Sequence, residues 1–353
     1  MHRVSIPNLT NNIFYGNDFT SDISKIFSMT GIPGSKVVIY VGVNSFKRTE
    51  YPGLLKSILE YHAAEVVYEQ SISPNPLRED IDRSIAVIDA LDTPFIIAIG
   101  GGSVLDYAKA CKLYSKKPYK LISLYTNLGS GSIVSPFTIY DNDEFKIGDY
   151  SEQIVPEIVY VNEDIVKSVP RAITVAGLCD IFSHALESSL STAATVDSRQ
   201  HAQKALNHIE KYLDTGSFKN MLFADIYAGL SERVGVVLAP HALGHFLTYS
   251  YDVPHGYASI VFMEAYLRHL EAAGLQIEPR LLQMTRYMYD LSRQHLVLPD
   301  DLPELLDEDV ARIIKYMGFV IDNSPVKTGE KDLISIFNKS VHNVVNARGD
   351  MND

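Results

Sequence analysis

Phe95–Ala110 reads FIIAIGGGSVLDYAKA, and the order of its parts decides the fold. A short apolar run ends in Gly100-Gly101-Gly102-Ser103, and a stretch with helical spacing follows, with Asp106 and Lys109 on its first turns. An apolar run of that length bounded by glycine reads as a buried strand. Consecutive glycines let the main chain come close to a ligand, and a helix N-terminus offers unpaired N–H groups and partial positive charge. A pyrophosphate fits such a turn, although the same glycines serve an unliganded strand-to-helix connection equally well. The pattern is not GxGxxG, so the ordinary Rossmann fingerprint is absent.

Outward from this segment the same alternation repeats. Lys36–Val41 (KVVIYV), Glu65–Tyr68 (EVVY), Lys120–Leu124 (KLISL) and Ile158–Val161 (IVYV) read as further buried strands. Tyr51–Ala63 and Arg78–Leu91 between them read as helices. Strands alternating with helices imply a parallel sheet with crossover helices. The loop Thr126-Asn127-Leu128-Gly129-Ser130-Gly131-Ser132 follows the Lys120–Leu124 strand. Alone it reads as a turn with hydroxyl caps, but two such loops at the carboxyl ends of parallel strands mark where nucleotides bind in open α/β sheets. Past Pro170 the β-branched runs largely stop, and Ala172–Leu190, Ser198–Tyr212 and Pro279–Gln294 carry helical spacing. The expectation is an α/β domain over residues 1–170 and an all-α domain over 171–353, with the change near Val169–Ile173.

The chain has 353 residues, more than one core usually supports, which agrees with two domains. With 46% hydrophobic and 21% charged residues it is neither disordered, collagen-like nor a coiled coil. Its 43 acidic and 31 basic residues give a net charge of −12, which argues against a general binder of nucleic acid or anionic membrane. An anionic cofactor is still admissible, because backbone dipoles bind anions within acidic proteins. The N-terminal sequence has no signal-peptide pattern and no stretch reaches membrane-span length, so the cytoplasm is the expected location. Two cysteines, Cys111 and Cys179, supply neither a disulfide framework nor a cysteine-built zinc site. Any metal must be held by carboxylates and by some of the eleven histidines.

Those ligands cluster in the second half. Asp180 and His184 in AGLCDIFSHALES stand four residues apart, one turn along one helix face. PHALGHFLTYSYDVPHG adds His241 and His245, again four apart, and His255 after Pro254. One carboxylate with several imidazoles is a ligand set for Zn²⁺ or Fe²⁺. The alternative is a salt-bridged Asp–His pair with scattered surface histidines; three further histidines within 15 residues favour metal. His2, His62, His201, His208, His269, His295 and His342 have no such grouping.

Taken in order, GGGSVLDYAK, TNLGSGS, GLCDIFSHALE, HALGH and PHG resemble the iron-containing (group III) alcohol dehydrogenase family, with the likeness running from about Lys36 to Leu267. The resemblance implies a dehydroquinate-synthase-like architecture: an N-terminal dinucleotide-binding domain with a parallel sheet and a helical, metal-binding C-terminal domain. It implies Asp180, His184, His241 and His255 as metal ligands, and His245 as a further histidine near nicotinamide and substrate, either a proton relay or a partner orienting a ligand. Gly100, Gly101, Gly102 and Ser103 take the phosphate-binding positions, Asp106 the nicotinamide end, Thr126 and Asn127 the paired-threonine positions, and Lys109 and Lys146 match lysines on the nucleotide side. The family loop TTAGTGSE is altered here, with Asn127, Leu128 and Ile133 at the second threonine, the alanine and the glutamate. Cys179 is one residue extra between Gly177 and Asp180. NAD-preferring relatives end the first strand of this sheet with an Asp, whereas Gly42-Val43-Asn44-Ser45 stands here with Lys47-Arg48 beyond it. Without a carboxylate to repel a 2′-phosphate, and with Gly42, Asn44 and Ser45 at the adenosine end, NADP is expected over NAD.

The implied activity is hydride transfer between nicotinamide and a small alcohol or aldehyde, aided by one divalent ion, Fe²⁺ or Zn²⁺. The tyrosines of residues 246–251 and Tyr257 favour a polar substrate, such as a phosphonoacetaldehyde-like or sugar-derived aldehyde, and a homodimer is the family-based expectation. Three alternatives remain: a dehydroquinate-synthase-like sugar cyclase, which needs a Lys- and Arg-rich pocket; a glycerol-dehydrogenase-like zinc enzyme with one histidine fewer; and a catalytically silent nucleotide-binding scaffold.

Overall fold

The computed structural model describes residues 1–349 apart from 8, 44, 45, 47, 48, 299–301 and 303, with the backbone alone for 342–349. The chain divides into two compact units, one of Met1–Pro170 with Ser217–Leu222, the other of Arg171–Gly216 with Phe223–Asp353. Ser217–Leu222, which the helical pattern alone leaves with the second half, therefore cluster with the first.

The first unit is a parallel sheet between helices. In chain order it contains β1 (His2–Arg3), β2 (Asn12–Gly16), α1 (Phe19–Thr30), β3 (Lys36–Gly42), α2 (Tyr51–Tyr61), β4 (Glu65–Ile72), α3 (Arg78–Ala90), β5 (Phe95–Gly100), α4 (Gly102–Tyr114) and β6 (Lys120–Tyr125). A hairpin of β7 (Phe137–Asp141) and β8 (Lys146–Tyr150) then precedes β9 (Ile158–Asn162) and α5 (Glu163–Lys167). The sheet order is β1-β2-β9-β6-β5-β3-β4, parallel throughout except for β1. β5 is buried along its whole length because both faces are covered, which is why it reads as an unbroken apolar run. On one face Val37, Ile39, Val41, Phe95, Ile97 and Ile99 meet Ile23 and Phe27 of α1 and Leu55 and Leu59 of α2. Alternate residues point to the other face, where Tyr40 meets Tyr107 of α4 edge-on at 5.1 Å between ring centroids.

The sheet order also explains where a ligand would sit. The chain leaves β3 outward to β4, then crosses back to place β5 on the opposite side of β3. That reversal is the topological switch point of an open α/β sheet, and its crevice opens at the strands' carboxyl ends. With Val41 paired to Ile99 and Gly100 to Tyr125, the ends of β3, β5 and β6 lie side by side.

The second unit is helical: α6 (Arg171–Leu190), α7 (Val196–Thr215), most of α8 (Phe218–Gly235), α9 (Ala239–Tyr251), α10 (His255–Ala272), α11 (Pro279–Arg293), α12 (Asp307–Asp322) and α13 (Glu330–Gly349). α6 packs against α7, α10 and α11, and α10 against α9, α11 and α13 as well. α6 is buried almost all round from Thr174 to Ser188, so polar side chains within that stretch need partners from neighbouring helices. No described helix is long and apolar enough to cross a membrane.

Both thiols belong to these cores. Cys111 and Cys179 are unpaired and fully buried. Burial pushes the Cys111 thiol up to about 12, against a smaller opposing effect of the Tyr40 hydroxyl, and burial also raises that of Cys179. A chromogenic disulfide reagent is expected to titrate no thiol in the native protein and both after denaturation. Rapid reaction of either in the native state contradicts this packing.

Candidate functional site

Two constellations were singled out in the sequence, one in each unit. In the first, Gly101 is the N-cap of α4 and no side chain caps that helix, so first-turn N–H groups stay open to an acceptor. A Cβ on Gly102 would lie 2.8 Å from Ser130 Oγ, and one on Gly101 3.3 Å from Asn127 Cβ. The glycines are thus required because the loop of residues 126–132 packs directly on the turn. Gly102 and Ser103 are partly exposed, whereas Gly100 and Thr126 are buried. Asp106 accepts from Ser132 Oγ at 2.6 Å, tying α4 to the same loop. Ile133, at the position of the family's glutamate, is fully buried and its carbonyl accepts from Asn11 Nδ2 at 2.7 Å.

The two lysines are both buried and bound within the first unit. Lys109 is fully buried and its ammonium donates to Ser132 Oγ at 2.8 Å, Ser135 O at 2.7 Å and Phe137 O at 2.9 Å. Three donors thus meet three oxygens of the loop and hairpin. Lys146 pairs with Asp141 at 2.6 Å and donates to Asn75 Oδ1 at 3.2 Å, fastening the hairpin to the Pro74–Pro76 turn. Gly42 ends β3 at the switch point, while Asn44 and Ser45 lie outside the described residues.

In the second unit, α6 carries Asp180 and His184, α9 carries His241 and His245, and His255 is the first residue of α10. Asp180 Oδ1 lies 3.8 Å from His184 Nε2, 3.5 Å from His241 Nε2 and 3.8 Å from His255 Nε2. Asp180, His241 and His255 each offer a ligand atom within 4.8 Å of the others. His184 stands outside that trio but stacks on His241 at 4.7 Å between ring centroids. The His245 ring is 4.9 Å from that of His255 and 6.4 Å from that of His241.

The closeness of α10 to α6 depends on Gly256. A Cβ there would lie 2.0 Å from Ala176 O, so no side chain fits between the first turn of α10 and the α6 backbone.

The electrostatics favour positive charge at this cluster. Burial opposes ionisation of Asp180, yet His184, His255 and His241 outweigh it and hold its carboxyl below the usual carboxylate range. Burial likewise opposes a charged His241, while Glu187 and Asp180 outweigh it and raise the ring to about 10. Asp180 Oδ1 and His241 Nε2 are buried polar atoms that make no hydrogen bond. Such atoms are costly unless something completes them, and a carboxylate oxygen beside imidazole nitrogens is the donor set of a divalent transition ion. The residues present therefore fit one ion.

Glu187 was not singled out in the sequence. It lies on α6 seven residues after Asp180 and is fully buried. Its Oε1 is 2.5 Å from His241 Nδ1, and its Oε2 accepts from Leu238 N at 2.7 Å and His241 N at 3.3 Å. The signal that could have found it is the helical spacing Asp180, His184, Glu187, which sets three ionisable residues on one stripe of a largely apolar helix.

Comparison with known proteins agrees with this geometry. The profile for iron-containing alcohol dehydrogenases matches residues 10–163, and that for the C-terminal region of the Fe-containing alcohol dehydrogenase family matches residues 174–306. The chain belongs to the iron-containing alcohol dehydrogenase family, a family of oxidoreductases. It is 26% identical over 250 residues to alcohol dehydrogenase 4 of Saccharomyces cerevisiae, a match spanning 64% of this chain and 64% of that enzyme. It is 20% identical over 305 residues to an NADPH-dependent butanol dehydrogenase of Clostridium saccharobutylicum, covering 78% and 76% of the two chains. Among solved structures, an archaeal halo-thermophilic alcohol dehydrogenase from a Red Sea brine pool has the same fold, with a TM-score of 0.82 at 22% identity over 96% of this chain and all of that one.

Proposed function

We propose that this chain interconverts a small, polar aldehyde and its alcohol by hydride transfer with NADP in preference to NAD, aided by one Fe²⁺ or Zn²⁺. The observation that carries the reading is the convergence of buried Asp180 and His241 with the partly exposed His255 within 4.8 Å where three helices meet, in a chain of this family. His184, one turn from Asp180, completes the proposed ligand set. The dinucleotide is assigned to the switch point, with its pyrophosphate at Gly100–Ser103 and its adenosine end beside Gly42, Asn44 and Ser45. Thr126, Asn127 and Asp106 border it, and Lys109 and Lys146 hold its walls. A relative described as an NADPH-dependent butanol dehydrogenase supports the cofactor preference, and a sulfoacetaldehyde reductase of the same fold is a precedent for a small polar aldehyde. A cytoplasmic homodimer is the expected state.

When bound, the ion supplies Lewis acidity to the alcohol or carbonyl oxygen and the nicotinamide supplies or accepts the hydride. The protein's own residues do the rest. The carboxylate of Asp180 and the imidazoles of His184, His241 and His255 would hold the ion, with Asp180, His184 and His241 buried and His255 partly exposed. His245, 5% exposed and beside His255, is assigned the proton. Imidazole can both donate and accept a proton and suits that role. Replacing His245 with Ala should lower kcat about 10²-fold, at the lower end of what proton transfer contributes, while metal content stays near one per chain. Loss of the ion would instead make His245 a ligand.

The reading is tested by steady-state oxidation of NADPH and NADH against a panel of aldehydes, with and without chelator. The expected result is chelator-sensitive turnover with the higher kcat/KM for NADPH. A clear preference for NADH sinks the cofactor assignment. Turnover that survives full removal of metal sinks the mechanism.

A further inference from the structure

We propose that Glu187 is the positioning residue of the ion site: it fixes the ring of His241 with Nε2 toward the ion and supplies the second of two buried negative charges that a divalent cation balances. The proposal rests on the metal reading above and deepens it.

The geometry is that of a clamp. Glu187 Oε1 faces His241 Nδ1 at 2.5 Å while Oε2 accepts from the backbone N–H of the same residue at 3.3 Å. One carboxylate therefore grips both the ring and the main chain of His241. With Nδ1 held this way, Nε2 lies on the far edge of the ring, 3.5 Å from Asp180 Oδ1 and in no hydrogen bond. A hydrogen bond to one ring nitrogen of a metal-binding histidine sets its tautomer and leaves the other nitrogen's lone pair for the ion.

The second contact ties this clamp to the fold. Oε2 also accepts from Leu238 N at 2.7 Å. Leu238 is the N-cap of α9 and has no capping side chain of its own. Glu187 thus satisfies amides at the start of α9 from across the unit, and its charge meets the positive end of that helix. A neutral acceptor could cap, so capping alone does not call for an ion. Glu187 is fully buried and Asp180 is 6% exposed. Two carboxylates in such a place are costly without compensation, and one dication with neutral imidazoles cancels both.

The substitution that separates these roles is Glu187→Gln. A glutamine has one acceptor oxygen and one donor amide, so it cannot satisfy both His241 Nδ1–H and the α9 amides. It also removes the charge. Co²⁺ binding to the full-length protein, followed by its visible absorption band and by competition with a chelator, reads affinity directly. Melting of the metal-free proteins in chelator reads the structural contribution. Glu187→Gln is expected to bind Co²⁺ about 10- to 100-fold more weakly, the usual cost of losing such a partner, with an altered band. Glu187→Asp, which keeps the charge, should recover part of that loss.

Unchanged affinity in Glu187→Gln, with only a lower metal-free Tm, overturns the proposal and leaves Glu187 a helix cap. Equal losses in the Gln and Asp variants overturn the charge argument. If the unsubstituted chain binds no Co²⁺, the metal reading itself fails and takes this proposal with it. Should the Gln variant not fold, ¹⁵N spectra of the histidine-labelled, Zn²⁺-loaded unsubstituted chain decide. A metal-bound His241 protonated at Nδ1 is expected, and one protonated at Nε2 overturns the assignment.

Discussion

Replacing Asp180 with Ala is expected to remove metal binding and lower kcat/KM by about 10³-fold, taking the Lewis acid to be worth several kcal/mol, about 4. The size follows from its position. Its Oδ1 is within 3.8 Å of the Nε2 atoms of His184, His241 and His255, so it is the one group that meets all three. It is also the only carboxylate of the proposed ligand set; without it three imidazoles must attract a dication with no charge of their own. The fold should survive, because α6 is held by apolar packing against α7, α10 and α11 rather than by this side chain. Metal content, kcat/KM and the melting of the metal-free protein are measured together. A variant that retains a stoichiometric ion and near-normal turnover refutes the assigned site.

Gly256→Ala is the second large effect, and it works through the backbone. The added Cβ would meet Ala176 O at 2.0 Å and Ala176 C at 2.6 Å. These are main-chain atoms of the second turn of α6 and cannot rotate aside. The start of α10 must therefore move away from α6. The cost expected for such overpacking is about 1–3 kcal/mol of stability. His255 is the adjacent residue, so its imidazole is carried away from Asp180 by the same shift. A fall in Tm and a weakened ion affinity should appear together. A variant with wild-type Tm and wild-type affinity would show that α10 and α6 are not packed this closely.

The elements legible in the sequence were those whose local pattern and tertiary role agree. β5 and the glycine turn read directly because a strand buried on both faces is an unbroken apolar run. α6 reads as a helix because its apolar pattern continues over about four buried turns. β4 was read only as far as Tyr68 but runs to Ile72. Its later residues Glu69, Gln70 and Ser71 are polar because it is an edge strand with exposed positions. β2 and the β7–β8 hairpin were not read at all. Five-residue, half-buried strands have too few positions for a period to show, and β2 gains its place only by pairing with β9, far along the chain.

The site followed the same division. Asp180 with His184, and His241 with His245, announce themselves by four-residue spacing on one helix each. That Asp180, His241 and His255 converge depends on three helices meeting, which spacing cannot state. Glu187 was within the quoted motif, but its partner His241 is 54 residues away and becomes visible only when α9 lies on α6. The three oxygens that surround the Lys109 ammonium come from the loop and hairpin more than 20 residues on and are visible only in the fold. A charged residue's role was the least legible feature, since it is set by what the rest of the chain places beside it.

One ion in the helical unit is central to the proposed function. The most direct measurement is an anomalous-difference map, recorded at the iron and zinc edges, from crystals of the full chain loaded with either ion. A single peak is expected about 2.0–2.2 Å from Asp180 Oδ1 and from the Nε2 atoms of the coordinating histidines, His241 and His255 among them. A peak elsewhere, or none from fully loaded protein, would contradict it.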